Sequence, residues 1–178
     1  ASPSSALGID PEHIVIGGSS DGAGLAAALA QIACDRGQVK PVFQLLVFPM
    51  LDDCTATRQD FDPQGHFGWN NASNQLGWKS YLKQAPGGAI TPDYSVPSRR
   101  SNLAGLPPAW IGVGDIDLFY DEDAAYAQRL KDAGVPCELV IVPGAFHGFD
   151  SAAPNTQLVK DFRRSQIAAL KKYLDGSS

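Results

Sequence analysis

The sequence predicts an α/β protein, a parallel sheet of about four strands with flanking helices. Three observations carry that prediction. Short apolar runs alternate with helical stretches, Gly and Pro punctuate the joins, and residues 42–48 (VFQLLVF) are almost wholly apolar. Alternation of this kind gives parallel strands joined by crossover helices, and a run without polar alternation suits a strand covered on both faces.

The elements follow in order. Residues 14–16 (IVI) form a short first strand that ends in glycine. Residues 25–33 are Ala-rich and helical, with Gly37 placed as a C-cap. Residues 42–48 are the second strand. Residues 109–113 (AWIGV), introduced by Pro107 and Pro108, are the third. Residues 121–133 read as a helix, with acids in the first turn and Gly134 after the last. Residues 138–142 (ELVIV) make the fourth strand, closed by Pro143 and Gly144. Residues 155–174 form a final helix with Leu158, Phe162, Leu170 and Leu174 on or near one face.

Residues 52–102 break the pattern. They are rich in Gly, Pro, Asn and aromatics, with one helix expected near residues 73–84. An irregular segment of this length between core strands reads as a lid or substrate-pocket segment. Trp69, Trp78 and Tyr81 are expected to pack beneath it rather than to line a pocket, and His66 to lie on its surface.

The 178 residues suit a single domain, 1–178, and 44% apolar content can fill its core. A net charge of −5 argues against nucleic acid or an anionic membrane as partner. No apolar run approaches the ~20 residues of a membrane-spanning helix, and no signal-peptide pattern opens the chain. Cys34, Cys54 and Cys137 are widely spaced without a CxxC, which reads as free thiols in a reducing, cytoplasmic compartment. The histidines are equally scattered, so no metal site is expected, and no cofactor.

Residues 17–24 (GGSSDGAG) hold the chemistry. A phosphate cradle needs a lysine that this stretch lacks. A dinucleotide turn fits Gly22 to Ala27 as G-x-G-x-x-A, with Asp52 or Asp53 as the ribose acid. Gly22, however, sits too far beyond the strand for that nucleotide-binding reading. The third reading is a nucleophile elbow: Gly18-Ser19-Ser20-Asp21-Gly22 matches G-x-S-x-G between a strand and a helix. There the serine is held in a strained conformation with its hydroxyl clear of the sheet. Gly18 and Gly22 are expected to be glycine because side chains would collide with the flanking strand and helix. The helix N-terminus offers N–H groups to a developing oxyanion. An acid-rich loop (residues 114–122, GDIDLFYDE) and a histidine loop (residues 143–149, PGAFHGF) follow the third and fourth strands. That is the chain order Ser, acid, His of a catalytic triad.

These stretches together resemble the hormone-sensitive-lipase-like carboxylesterases of the α/β-hydrolase fold, over nearly the whole chain. The resemblance implies Ser20 as nucleophile, Asp117 as the acid and His147 as the base, with Asp121 structural. It also implies hydrolysis of short to medium acyl esters through an acyl-serine. The backbone N–H of Asp21 would serve the oxyanion hole. Two departures stand out. The family carries an HGGG motif upstream of the elbow, and none occurs here; the chain reads as the C-terminal half of the fold. It is therefore expected to need the other half or a second chain, and to be dimeric or aggregation-prone alone. Asp21 replaces the small residue usual after the serine, and its carboxylate would oppose the oxyanion. A catalytically silent hydrolase-fold module with a binding or assembly role is the alternative.

Overall fold

Alternating side chains of four parallel strands fill two cores, one on each face of the sheet. The computed structural model describes residue 8 and residues 10–59 and 67–175; His66 and the neighbouring part of the irregular segment lie outside them. The strands are β1 (Val15–Ser19), β2 (Phe43–Val47), β3 (Ala109–Gly114) and β4 (Cys137–Val142), in spatial order β1-β2-β3-β4. The helices are α1 (Asp21–Arg36), α2 (Asn71–Leu82), α3 (Tyr120–Asp132), α4 (Phe149–Ala152) and α5 (Gln157–Leu174). Two 3-10 turns, Asp53–Thr57 and Pro97–Arg99, complete the segment between β2 and β3.

One face of the sheet packs Leu46 and Ile111 against Ala23, Ala26 and Ala27 of α1 and Tyr126 and Leu130 of α3. The alanines let α1 lie close to the strands. The other face packs Phe43, Val47 and Trp110 against Val159, Phe162 and Ala169 of α5. Trp78 and Leu82 of α2 join Met50, Leu118 and Phe119 in a third cluster. That cluster sets the irregular segment over the carboxyl ends of the strands, where ligands bind in open α/β sheets. Asn70 caps α2 by accepting from Ser73 N, and Gly37 ends α1 at φ 62° with its N–H on Ala33 O.

Two differences from the sequence reading matter for the site. β1 runs on through both glycines to Ser19, because they pair in register with Leu45 and Leu46. α1 then starts at Asp21, so the turn between strand and helix is one residue long. The four-residue α4 was not anticipated, since so short a helix has no periodicity to read.

Glu122, fully buried in α3, accepts from Leu51 N (2.7 Å), Asp52 N (3.1 Å) and the Thr55 hydroxyl, tying the chain after β2 to the helix. Burial pushes its carboxyl up to about 8, against the opposite pull of these three donors. Its neighbour Asp123 is also fully buried, and neither oxygen has a hydrogen bond among the described residues. Burial first, then the Glu122 and Asp117 charges, raise Asp123 well above the ordinary carboxylate range. A folded-state value above the unfolded one means that folding takes up a proton. The stabilisation from Glu122 is therefore complete below the unfolded pKa and is lost as pH rises from there toward about 8. Glu122→Gln keeps an acceptor oxygen for Leu51 N and Asp52 N, turns the Thr55 contact into one in which Nε2 donates to the hydroxyl oxygen, and removes the titration. Between those pH values the wild type should lose stability relative to this variant, by at most ~1.4 kcal/mol per pH unit. Urea midpoints across that range measure it, and a wild type that stays parallel to the variant would show that Glu122 folds as the ionised acid.

Candidate active site

Ser20 forms the whole turn between β1 and α1, at φ 57° and ψ −122°. A non-glycine residue there costs roughly 1–3 kcal/mol and persists only when its neighbours hold it. Its N–H donates to Val47 O at 2.9 Å, and its carbonyl accepts from Ala23, Gly24 and Met50 N–H at 3.1 Å each. The steric demand for glycine falls only partly where the motif places it. A Cβ on Gly18 would lie 2.3 Å from Gly22 O, so Gly18 is required as expected. A Cβ on Gly22 meets nothing within 4 Å, whereas one on Gly24 would lie 2.2 Å from Met50 O. The helix begins so promptly after Ser20 that Gly24, not Gly22, is the residue facing the chain leaving β2. The Asp21 N–H, at the first helical position, has no acceptor among the described residues.

The three predicted side chains meet. Ser20 Oγ lies 2.9 Å from His147 Nε2, and His147 Nδ1 lies 2.9 Å from Asp117 Oδ2. Asp117 Oδ1 accepts from Phe119 N at 2.9 Å, and its side chain is wholly buried. The loops carrying acid and histidine are laced together: Ile116 N donates to Ala145 O at 3.3 Å, and Gly144 N to Asp115 Oδ1 at 2.6 Å. Asp121 stands apart, exposed and paired with Arg58 at 2.6 Å.

His147 is boxed in by rings, of which the sequence reading singles out only Trp69. Phe48 and Phe119 meet the imidazole edge-on, with centroids 4.8 and 5.1 Å away, and Trp69 lies at 6.4 Å. Phe48 does so from a strained backbone, at φ 37°. Gly68, at φ 81°, presses so close that a Cβ would sit 2.1 Å from His147 O. Its signal was available, as a glycine between two aromatics, but nothing local says what it touches.

A cavity of about 260 Å³ opens beside Ser20, walled by Leu25, Met50, Trp69, Trp78 and Tyr81, with Asp21 also lining it. Here the structure departs from the expected role of the aromatics. Trp78 is a core residue at 1% exposure, but all three rings also wall the cavity, Trp78 and Tyr81 from α2 and Trp69 from the chain just before it.

Asp52, Asp53 and Cys54 bring ligand atoms within 4.8 Å of one another. Asp53 is already held by Arg99 at 2.7 Å and Gly87 N at 2.6 Å, and Asp52 caps Cys54 N. Asp53 is therefore committed to the protein itself, and Gly24 of the dinucleotide pattern is pressed against Met50 O. Partial burial, then the Asp52 and Asp53 charges, raise the Cys54 thiol, which leaves it a poor nucleophile. All three cysteines are free. No helix among the described residues is long and apolar enough to cross a membrane.

Residues 1–151 match the α/β-hydrolase-fold family. The chain is 32% identical to the carboxylesterase NlhH of Mycobacterium tuberculosis, an alignment covering 94% of this chain and 53% of that protein. Among solved structures, esterase LipW from Mycobacterium marinum superposes with TM-score 0.83 at 40% identity, covering 95% of this chain and 52% of the other. A bacterial heroin esterase superposes with TM-score 0.86 at 34% identity, covering 96% and 55%. The chain thus spans about half the length of the curated relatives it matches.

Proposed function

The chain belongs to the α/β-hydrolase family, and from that premise we propose that it carries the nucleophile, base and acid of a carboxylic ester hydrolase. The observation that carries this reading is the unbroken hydrogen-bond chain from Ser20 through His147 to Asp117. His147 Nε2 takes the Ser20 proton as Oγ attacks the ester carbonyl. The tetrahedral oxyanion turns toward the Asp21 N–H and the positive end of α1. Collapse breaks the ester C–O bond, and His147 returns the proton to the leaving alcohol. Water then enters by the same route in reverse and releases the acid from the acyl-serine. Asp117 keeps Nδ1 protonated and balances the imidazolium.

The small apolar cavity suits short to medium acyl esters, with the segment 52–102 supplying its wall. Further oxyanion donors come, in this reading, from an upstream half of the fold or a second chain lying beside β1. Three unpaired thiols suit a reducing, cytoplasmic setting.

A fluorophosphonate probe reacts only with an activated serine. The expected result is one covalent adduct, mapped by peptide mass to Ser20 and lost in Ser20→Ala. An unlabelled, folded protein would favour the silent binding module instead.

A further inference from the structure

Among the described residues one charged side chain lines the cavity beside Ser20, and none of them answers its charge. Asp21 lines the cavity, is exposed, and has neither an ion pair nor a side-chain hydrogen bond among the described residues. No lysine or arginine among the described residues shares the lining. Apart from Ser20 and Ser95 the rest of the described wall is apolar, and three of its members are rings: Trp69, Trp78 and Tyr81, the last two with centroids 6.1 Å apart. Aliphatic residues would serve a neutral acyl chain as well. Ring faces carry the negative part of an aromatic quadrupole and attract cations, tryptophan most strongly. A carboxylate without a partner among the described residues and three aromatic side chains around one largely apolar space are complementary to a bulky alkylated ammonium.

The position of Asp21 sharpens the point. It directly follows Ser20, so its carboxylate opposes the negative charge that develops on the ester oxygen. With a neutral ester this repulsion raises the barrier. With an ester carrying a cation, the substrate neutralises the carboxylate before the oxyanion forms, and the same residue becomes a binding contact. The protein's net charge of −5 works in the same direction at long range.

We propose that the site selects esters bearing a tertiary or quaternary ammonium group, with Asp21 and the Trp69–Trp78–Tyr81 wall as its specificity determinants. The proposal rests on the reading of Ser20 as nucleophile.

Acetylcholine and its uncharged isostere 3,3-dimethylbutyl acetate differ in charge and hardly in shape, and Asp21→Asn keeps the backbone N–H while removing the charge. The ratio of kcat/KM for the charged over the neutral ester should exceed one in the wild type. It should fall about tenfold in Asp21→Asn, equivalent to ~1.4 kcal/mol. The neutral ester by itself should be hydrolysed faster by the variant, so the two substrates respond with opposite sign. Binding is followed separately by tryptophan fluorescence, with choline expected to quench saturably and 3,3-dimethylbutanol to bind more weakly. Choline quenching should weaken in Asp21→Asn. An unchanged ratio in the variant, or equal binding of the two alcohols by the wild type, overturns the proposal. Preferential choline binding without turnover of either ester supports the cation site and counts against Ser20 as nucleophile.

Discussion

Ser20→Ala and His147→Ala are each expected to abolish ester hydrolysis, and to nearly the same extent. In the proposed mechanism nucleophile and base act as one unit: without His147 the Ser20 hydroxyl would keep its proton, and without Ser20 the imidazole would have nothing to activate. Losses on the order of 10⁶ in kcat are the scale for such groups, and the double variant should be no worse than either single one. Asp117→Asn should cost about 10⁴, because an amide nitrogen facing Nδ1 selects the wrong imidazole tautomer. The 2.9 Å contacts on both sides of the ring leave no slack for another partner to take over. Asp121→Asn is the control. Its carboxylate is 65% exposed and pairs with Arg58, so its loss should change stability by less than about 1 kcal/mol and leave kcat intact. A p-nitrophenyl butyrate assay, with thermal melts to confirm folding, reads all five. Full turnover in Ser20→Ala, or its loss in Cys54→Ser, would place the nucleophile elsewhere.

The hydrogen-bonded chain of Ser20, His147 and Asp117 was legible because its parts are written locally. A strand, a glycine-flanked serine and a helix follow within a few residues, and acid and histidine sit on the loops after the next strand ends. The alternation of strand and helix was legible for the same reason, since Gly and Pro punctuate the joins. The residues that brace the site were not. Gly24 is constrained by Met50 O, 26 positions along the chain, and Gly68 by His147 O; such contacts arise only when the sheet has closed. Phe48 reads as the last residue of an apolar strand, yet it leaves the strand at φ 37° and turns its ring onto His147. The buried acids Glu122 and Asp123 read as ordinary first-turn helix carboxylates. Their burial depends on the segment after β2 folding over α3, and no pattern along α3 encodes that.

The 178 residues on their own are expected to self-associate and to hydrolyse esters slowly. The same residues, grafted in place of the matching half of the Mycobacterium marinum esterase, should be soluble and faster by roughly 10²–10³, the usual cost of one absent oxyanion donor. Two features argue for this. β1 pairs with β2 on one side and with no described residue on the other, which leaves a row of N–H and C=O groups open. Residues 13–16 (HIVI) include no Pro or Lys to blunt that edge, as strands meant for exposure do. Beside it, Leu25 and Leu29 of α1 are 53% and 50% exposed, one turn apart on a helix whose other face is buried. Apolar surface next to an unpaired strand invites another strand, and in the absence of the right one a second copy will serve. At the same end of β1 the site offers the Asp21 N–H to the oxyanion, so a neighbour beside β1 is well placed to bring the remaining donors. Light scattering and an esterase assay on both proteins decide the matter. A monodisperse, fully active monomer of the 178 residues would show that β1 is a true edge and that the oxyanion hole is complete without a neighbour.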